Sequence, residues 1–182
     1  MAFELTFRQI PPNAPSDELT ALAEMATFTF CDTFRHYQKA DIDHYIKESL
    51  SVEALALELQ DPNNTFYFIL FNEVRAGFFK WVHPSSTYLE HSQVRCQNPF
   101  LIQRFYLMPD YCGKGLASVA LEFVTSFAKY QAGADFLYLS VWEKNYRAQS
   151  FYQKHGFRTI GSFGYPVGQE IDHEFLYGKR LL

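Results

Sequence analysis

Hydrophobic and polar residues follow two different periods along this chain, and these periods divide it into strands and helices. Period-two alternation, or a short apolar run bounded by turn residues, predicts a strand, whereas apolar residues spaced three and four apart predict a helix. Strands are predicted in this way at residues 4–10, 65–71, 74–82, 100–107, 136–142, 157–163 and 170–179. Helices are predicted at residues 17–30, 41–50, 52–60, 116–130 and 145–155. Their order predicts one α/β domain over residues 1–182, with a mixed, largely antiparallel sheet.

Capping and turn residues support several of these boundaries. Ser16 and Ser51 are good N-cap residues for the helices that follow them, and Gly156 is placed to end the last helix as its C′ residue. Asn72-Glu73 separates two apolar runs and predicts a tight hairpin turn.

Two features do not fit a regular element. Gly77 lies inside a predicted strand, which indicates either a bulge or a close approach of another backbone. Residues 83–99 form a long polar connection, and a connection of this length in a compact domain is more often functional or mobile than idle.

Composition narrows the class of protein. Of the 182 residues, 48% are apolar and 18% are aromatic, which suits a buried core and excludes a disordered or fibrous chain. The net charge of −4 gives no electrostatic reason to bind nucleic acid and is compatible with cationic substrates.

The cysteines and the apolar runs exclude further classes. Cys31, Cys96 and Cys112 are far apart and have no zinc-ligand spacing, so we predict reduced thiols and no metal. No run approaches the roughly 20 apolar residues of a membrane helix. The first residues lack the pattern of a signal peptide. We therefore expect a soluble, cytoplasmic protein that binds neither membrane nor nucleic acid.

A glycine turn lies between a predicted strand and a predicted helix. The segment 107–117 reads Leu-Met-Pro-Asp-Tyr-Cys-Gly-Lys-Gly-Leu-Ala. A strand, a Gly-x-Gly turn and a helix N-terminus together favour an anion, because the first-turn N–H groups and the helix dipole point into the turn. The signal is weak alone. Ser118 breaks the dinucleotide-binding fingerprint, and the Walker A pattern is also not met.

The glycine turn becomes a specific signal when it is considered together with a second segment. Residues 112–117, Cys-Gly-Lys-Gly-Leu-Ala, and residues 145–157, Asn-Tyr-Arg-Ala-Gln-Ser-Phe-Tyr-Gln-Lys-His-Gly-Phe, stand at their observed separation. Together they resemble the GCN5-related N-acetyltransferase (GNAT) family. Its acetyl-CoA loop reads Gln/Arg-x-x-Gly-x-Gly/Ala, and its second segment reads Asn-x-x-Ala-x-x-x-Tyr-x-x-x-Gly-Phe. The order of the elements also fits over nearly the whole chain.

The resemblance implies a fold, a cosubstrate and a set of site residues. The fold is a seven-stranded mixed sheet flanked by helices and splayed between its fourth and fifth strands, and the activity is acyl-CoA-dependent N-acetyl transfer. The expected partner is a small-molecule amine, with a homodimer as an open alternative. The implied acetyl-CoA-binding residues are Tyr106, Leu107, Met108, Cys112, Gly113, Lys114, Gly115, Leu116, Ala117 and Asn145.

One position departs from the family pattern. Cys112 stands where the family has Gln or Arg. Because such a loop holds pyrophosphate chiefly through backbone N–H groups, we expect weaker rather than abolished CoA binding. Lys114 is a candidate to supply the lost charge.

The catalytic roles are also implied by the resemblance. An amine attacks the thioester directly, a backbone N–H near Leu107 stabilises the oxyanion, and Tyr152 donates a proton to the departing thiolate. A tyrosine that only packs its ring is the structural alternative for Tyr152. The strand before the loop offers no carboxylate as a base, so a water chain ending at Glu143 is the first candidate.

For three other candidate residues, a purely structural role is an open alternative to a functional one. His83 and His91 are further candidate bases or plain loop histidines. Arg104 either orients an acidic substrate group or forms a structural ion pair.

The residues also leave the substrate open. Glu143 and the segment 168–172, Gly-Gln-Glu-Ile-Asp, look like the polyamine branch of the family, where Glu143, Glu170 and Asp172 could attract a polycation; solvent-facing acids are the alternative. Two other functions stay open, a non-catalytic acyl-CoA-binding module and a protein or peptide N-acetyltransferase.

Overall fold

A computed structural model describes residues 4–167 and 170–181. The strands are β1 Leu5–Ile10, β2 Asn64–Phe71, β3 Val74–Val82, β4 Pro99–Leu107, β5 Phe136–Trp142, β6 Arg158–Val167 and β7 Glu170–Arg180. The α-helices are α1 Ser16–Thr33, α2 Lys39–Tyr45, α3 Val52–Gln60, α4 Leu116–Tyr130 and α5 Tyr146–Lys154. Short helical turns cover Ile46–Leu50, Leu89–His91 and Pro109–Tyr111. No helix in this described part of the chain is both long and apolar enough to span a bilayer.

The strands form one mixed sheet in the order β1-β2-β3-β4-β5-β7-β6. The pairs β1–β2, β5–β7 and β6–β7 are antiparallel, and β4–β5 is parallel. The register of β4 with β5 covers only Pro99–Leu101 against Phe136–Tyr138, although both strands continue further. The predicted seven-stranded sheet, with pairing lost partway along its fourth and fifth strands, is confirmed.

Contacts divide the chain into two compact units. The first holds the chain up to Trp81 together with Arg104–Ala120, and the second holds Val82–Gln103 and the chain from Leu121 onward. In the first unit, α1 and α3 bury Leu22, Leu55 and other apolar residues with β1, β2 and β3. The second has its own core on β4 to β7. Since β4 and α4 each contribute residues to both units, the single domain over residues 1–182 stays a prediction.

Several boundary signals are confirmed and one is wrong. Ser51 caps α3 by accepting a hydrogen bond from the N–H of Ala54 at 3.2 Å. Ser16, however, is the first residue of α1 and not its cap, because the carbonyl of Pro15 already accepts from the N–H groups of Glu18 and Leu19.

The hairpin between β2 and β3 turns as predicted. Asn72 and Glu73 both have positive φ, 49° and 64°, as a two-residue hairpin turn requires. Within β3, a Cβ on Gly77 would collide with the carbonyl oxygen of Tyr106. The predicted close approach of a backbone at Gly77 is therefore confirmed.

The largest differences from the predicted bounds lie in two elements. The helix predicted at 41–50 is α2 followed by a π-helical turn at Ile46–Leu50. Strand β6 continues past its predicted end at Phe163 to Val167, so Gly164 and Pro166 lie within it. Proline is tolerated because β6 is an edge strand. The two residues between β6 and β7, 168 and 169, lie outside the described residues.

The long connection between β3 and β4 covers one face of the second unit. Tyr88 stacks on Phe163 with ring centroids 4.5 Å apart, and Ser92 forms an isolated antiparallel bridge with Gly161. The buried hydroxyl of Tyr138 donates to carbonyls within this connection, that of Thr87 among them at 3.0 Å. The connection thus has a packing role on β5 and β6.

Candidate active site

The glycine turn adopts a backbone that only glycine accommodates easily. Gly113 and Gly115 have φ values of +76° and +82°. A Cβ added at either position would meet no protein atom within 4 Å. Glycine is therefore required by backbone conformation and not by crowding within the protein, and the space beside the turn is open to a ligand.

Helix α4 begins directly after this turn. The carbonyl of Gly115 accepts from the N–H groups of Ser118 and Val119 at 3.1 and 3.4 Å. Buried Leu116 anchors the first turn of the helix in the core. Within the described residues, no acceptor is recorded for the N–H groups of residues 113–117. This set of donors at a helix N-terminus fits a diphosphate.

The side chains next to the turn are held by the protein itself. The thiol of Cys112 lies 3.6 Å from the carbonyl oxygen of Met108 and 4.0 Å from that of Leu107. It thus packs back on the end of β4. Lys114 is exposed, with its ammonium 5.4 Å from the ring centroid of Tyr111, so its positive charge stays beside the turn.

The end of β4 offers one of the three predicted backbone groups to a ligand. The N–H of Met108 donates to the carbonyl of Ala76 on β3 at 2.8 Å, and the carbonyl of Tyr106 lies close to Gly77 on β3. Because backbone groups alternate between the two edges of a strand, the N–H and C=O of Leu107 point to the other edge. Leu107 is therefore the residue of this set with backbone groups directed away from β3.

Asn145 has a structural task in the helix it begins. Its Oδ1 accepts from the N–H of Ala148 at 3.1 Å as the N-cap of α5. The side-chain amide of Gln149 donates to the carbonyls of Trp142 and Glu143 at 3.3 and 2.6 Å. The Asn-x-x-Ala spacing in the sequence is thus explained by capping, and the turn between β5 and α5 is fixed.

Tyr152 lies seven residues after Asn145 on α5 and is only 7% exposed. Its ring makes edge contacts with Phe151 and Phe157, at centroid distances of 5.2 and 5.5 Å. The tyrosine is therefore held rigidly in the second unit.

The candidate bases Glu143, His83 and His91 lie directly after β5 and in the connection between β3 and β4. The backbone N–H of Glu143 donates to the carbonyl of His173 at 2.9 Å, which ties the end of β5 to β7. His83 stacks on Phe100 at 5.1 Å, and its Nδ1 is 3.3 Å from the carbonyl of Pro99. His91 stacks on Phe163 at 5.2 Å. Both histidines thus have packing partners.

Arg104 forms a structural ion pair, which is one of the two roles that the sequence leaves open for it. Its guanidinium binds both carboxylate oxygens of Glu58, at 2.6 and 3.1 Å, and reaches the carbonyl of Ser49 at 3.4 Å. The ammonium of buried Lys80 is 3.2 Å from the same carboxylate. Burial lowers the pKa of Lys80 to about 8, although the charge of Glu58 opposes this shift. Sequence reasoning missed Lys80, because a single lysine in an apolar strand gives no pairing signal.

Comparison with known proteins identifies the family. The profile of the acetyltransferase (GNAT) family matches residues 21–157. The chain belongs to this family. It is therefore an acetyl-CoA-dependent N-acetyltransferase, and the resemblance read from residues 112–117 and 145–157 is confirmed.

Individual relatives agree with this membership. An uncharacterized N-acetyltransferase of Lactobacillus delbrueckii is 26% identical over 155 residues, which cover 85% of this chain and 87% of the relative. An uncharacterized N-acetyltransferase of Mycobacterium bovis is 32% identical over 81 residues, covering 44% of this chain and 51% of that protein.

Solved structures of acetyltransferases share the fold. The PaiA N-acetyltransferase of Thermoplasma acidophilum, solved with coenzyme A, superposes with a TM-score of 0.70 at 22% identity and covers 99% of both chains. The spermidine/spermine N-acetyltransferase SpeG of Vibrio cholerae gives a TM-score of 0.64 at 14% identity, covering 98% of this chain and 95% of that one.

A further acid in this acetyltransferase was not found from the sequence. Glu174 lies on β7, where its side chain is half-buried and close to Ser140 of β5. Burial raises the pKa of Glu174 to about 7; the neighbouring Ser140 hydroxyl opposes the shift, and the charge of Asp172 adds to it. The sequence shows an acid in a strand, but only the register reveals that Glu174 lies opposite Trp142.

The acidic tail is described only in part. Gly168 and Gln169 lie outside the described residues, and no side-chain position is described for Glu170. Asp172 is half-buried on β7 and pairs with Tyr165 of β6. Of the predicted acids in this tail, only Asp172 has a described side chain. Within the described residues, no group of three His, Cys, Asp or Glu side chains is placed to hold a metal ion.

Proposed function

We propose that this enzyme transfers the acetyl group of acetyl-CoA to the primary amine of a small molecule, with polyamines as the leading class. Family membership supplies the cosubstrate and the reaction type. The observation that carries the substrate class is the pair of carboxylates at Asp172 and Glu174, which lie two residues apart on one face of β7. Carboxylates in a partly buried position favour an ammonium group.

For acetyl-CoA, the proposed binding residues follow from the geometry of the glycine turn. The N–H groups of residues 113–117 would hold the diphosphate, with the charge of Lys114 beside them. Cys112 would contribute to acetyl-CoA binding indirectly, by packing its thiol against the end of β4. Leu107 would pair with an amide of the pantetheine arm, flanked by Tyr106 and Met108, whose backbone groups are directed to β3.

For the chemistry, the proposed roles lie on α5 and at the end of β5. Asn145, while capping α5 with its Oδ1, would donate from its Nδ2 to the pantetheine. Tyr152 would protonate the departing thiolate. Glu143 is the first candidate to accept the proton of the amine through a water chain, because it directly precedes the α5 turn that Gln149 fixes.

The experiment is an acetylation assay across a panel of amines. Purified enzyme and acetyl-CoA are incubated with spermidine, aminoglycosides, amino acids and N-terminal peptides, and free thiol release is measured with time. Turnover with spermidine or another small primary amine is expected. Turnover with peptides alone would assign the enzyme to protein acetylation instead. Acetyl-CoA binding without thiol release for any amine would indicate a non-catalytic binding module.

A further inference from the structure

An open pocket lies beside the hairpin that joins β2 to β3. Its volume is about 470 Å³, and it is lined by Arg8, Leu70, Glu73, Val74 and Arg75. Leu70 is buried in the core that α1 and α3 share with the sheet, which gives the pocket an apolar side. Charged side chains from β1, from the turn and from the start of β3 form the rest of its lining.

Two arginines meet at this pocket over one aromatic ring. The guanidinium carbon of Arg75 lies 5.0 Å from the ring centroid of Phe68, and that of Arg8 lies 5.6 Å from the same centroid. Arg8 is also directly opposite Phe68 in the pairing of β1 with β2. A ring restrains a guanidinium without using its N–H donors, so these donors remain for an acceptor.

The two arginines differ in what balances their charge. Arg8 forms an ion pair with the carboxylate of Glu18 on α1. Arg35 and Arg104, the other arginines of the first unit besides Arg75, also bind carboxylates. For Arg75, no ion pair or hydrogen bond is recorded in the described part of the chain. Its charge is therefore the one in this unit's arginines that no carboxylate balances.

Only part of the Arg75 guanidinium faces the pocket. Its Nε is buried and has no acceptor among the residues that the structure describes. Since the side chain also lines the pocket, its outer nitrogens, Nη1 and Nη2, are the part available to a ligand. Guanidinium N–H groups form a planar fork that matches the oxygens of a carboxylate or a phosphate. Such charge-assisted hydrogen bonds are roughly twice as strong as neutral ones.

We infer that this pocket, called here the Arg75 pocket, binds a small oxyanion, a phosphate or carboxylate group held by Arg75 with Arg8 beside it. One lining group opposes an anion. The carboxylate of exposed Glu73 borders the same pocket, and no ion pair between it and either arginine is recorded for the described residues. Glu73 therefore lowers the affinity for an anion, because like charges repel.

The Arg75 pocket is distinct from the glycine turn. Leu70 and Phe71 are neighbours in β2, so their side chains point to opposite faces of the sheet. Phe71 makes an edge contact with Tyr111, which precedes the glycine turn, at 6.0 Å between ring centroids. The segment that leads into the turn is thus reached from the face opposite Leu70. We expect the pocket to bind its anion without competing with acetyl-CoA.

The test is an NMR titration of the purified enzyme with inorganic phosphate and, separately, with succinate. The side-chain Nε–H signal of Arg75 is followed, because burial slows its exchange with water, and it is assigned by its loss in Arg75→Gln. The backbone N–H signal of Val74 reports binding in every variant. Sodium chloride at matched ionic strength controls for screening. At least one probe is expected to shift both signals to saturation, and the probe with the lower Kd identifies the class of anion.

Two variants should change the Kd in opposite directions. Arg75→Gln removes the cation and should weaken binding on the order of tenfold. Glu73→Gln removes the opposing carboxylate from an exposed turn and should tighten binding of the same probe. Arg35→Gln changes an exposed arginine outside the pocket and should leave the Kd unchanged. A role of Arg75 in packing alone would give no such pair of opposite effects.

Three results would overturn the inference. The first is that neither probe shifts the Arg75 and Val74 signals more than sodium chloride does. The second is an equal Kd in wild type, Arg75→Gln and Glu73→Gln. The third is displacement of the probe by coenzyme A at the concentration that saturates its own site, which would assign the pocket to the cosubstrate. The titration needs no amine and no turnover, so its outcome is independent of the proposed substrate.

Discussion

At the scale of single residues, Gly115 carries the clearest expectation for acetyl-CoA binding. Its φ of +82° is costly for a β-branched residue, by about 1–2 kcal/mol, so Gly115→Val should distort the turn. We expect acetyl-CoA binding to weaken tenfold or more, which is about 1.4 kcal/mol. Calorimetry measures this, with Gly133→Val as the control, because Gly133 also has a positive φ but lies after α4. Equal affinity in Gly115→Val and wild type would remove the phosphate role of the turn.

Tyr152 is the second residue whose role can be isolated. Its ring packs against Phe151 and Phe157, and Tyr152→Phe keeps that ring while removing only the hydroxyl. We expect kcat to fall with little change in acetyl-CoA affinity or thermal stability. Tyr146→Phe, an exposed change on the same helix, is the matched control for steady-state kinetics. A wild-type kcat in Tyr152→Phe would assign this tyrosine to core packing alone.

The same residues show how far sequence reasoning reaches. The sequence predicts roles for Gly113, Gly115, Asn145 and Tyr152, because each sits at a fixed spacing within a local segment and short-range spacing is visible in a sequence. The sequence could not show that the N–H of Met108 donates to the carbonyl of Ala76, because that hydrogen bond depends on strand pairing. The position of Glu174 opposite Trp142 depends on strand pairing in the same way.

At the scale of elements, α3 is fastened to the sheet by a charge cluster. Glu58 of α3 binds Lys80 of β3 and Arg104 of β4, and both cations lie over the ring of Phe66 on β2, at 5.3 and 6.0 Å from its centroid. The charged form of Lys80 is disfavoured by burial, since its side chain is 3% exposed and its pKa is lowered to about 8.

The pH dependence of stability should reveal this lysine. A lysine has a pKa of about 10.4 in the unfolded chain, so between pH 8 and 10 the unfolded state binds more protons and the folded state gains stability as pH rises. We expect Lys80→Met to equal or exceed wild-type stability at pH 7, and to lose that advantage by up to about 1.4 kcal/mol per pH unit above pH 8. Urea unfolding at pH 7, 8, 9 and 10 measures the difference, with exposed Lys114→Met as the control. A constant difference across this range would show that Lys80 is not perturbed.

Element boundaries were predicted well where the ending signal was local. Helix α4 and strand β5 have the predicted bounds, and Ser51 caps α3. The sequence predicts that β6 ends at Phe163, because Gly164 and Pro166 are typical turn residues. Its extension depends on pairing with β7, where a Cβ on Gly164 would come within 2.8 Å of the side chain of Ile171.

At the scale of the whole molecule, the open question is whether the two compact units unfold together. The fold class followed from the order of elements, whereas the division into units depends on contacts between distant segments, which no local pattern reports. Both β4 and α4 pass from one unit to the other. Unfolding either unit alone would break a strand and a helix partway along their length. We therefore expect one cooperative transition.

The two tryptophans allow this expectation to be measured. Trp81 lies in the first unit and Trp142 in the second, and the chain has no other tryptophan. In Trp142→Phe, fluorescence reports Trp81 alone, and in Trp81→Phe it reports Trp142 alone, while far-UV circular dichroism follows both units. Within each variant, the urea curves from the two signals should coincide, whatever the stability change that the substitution itself causes. Curves that separate in either variant would show that the units unfold independently, and the chain would then be two domains.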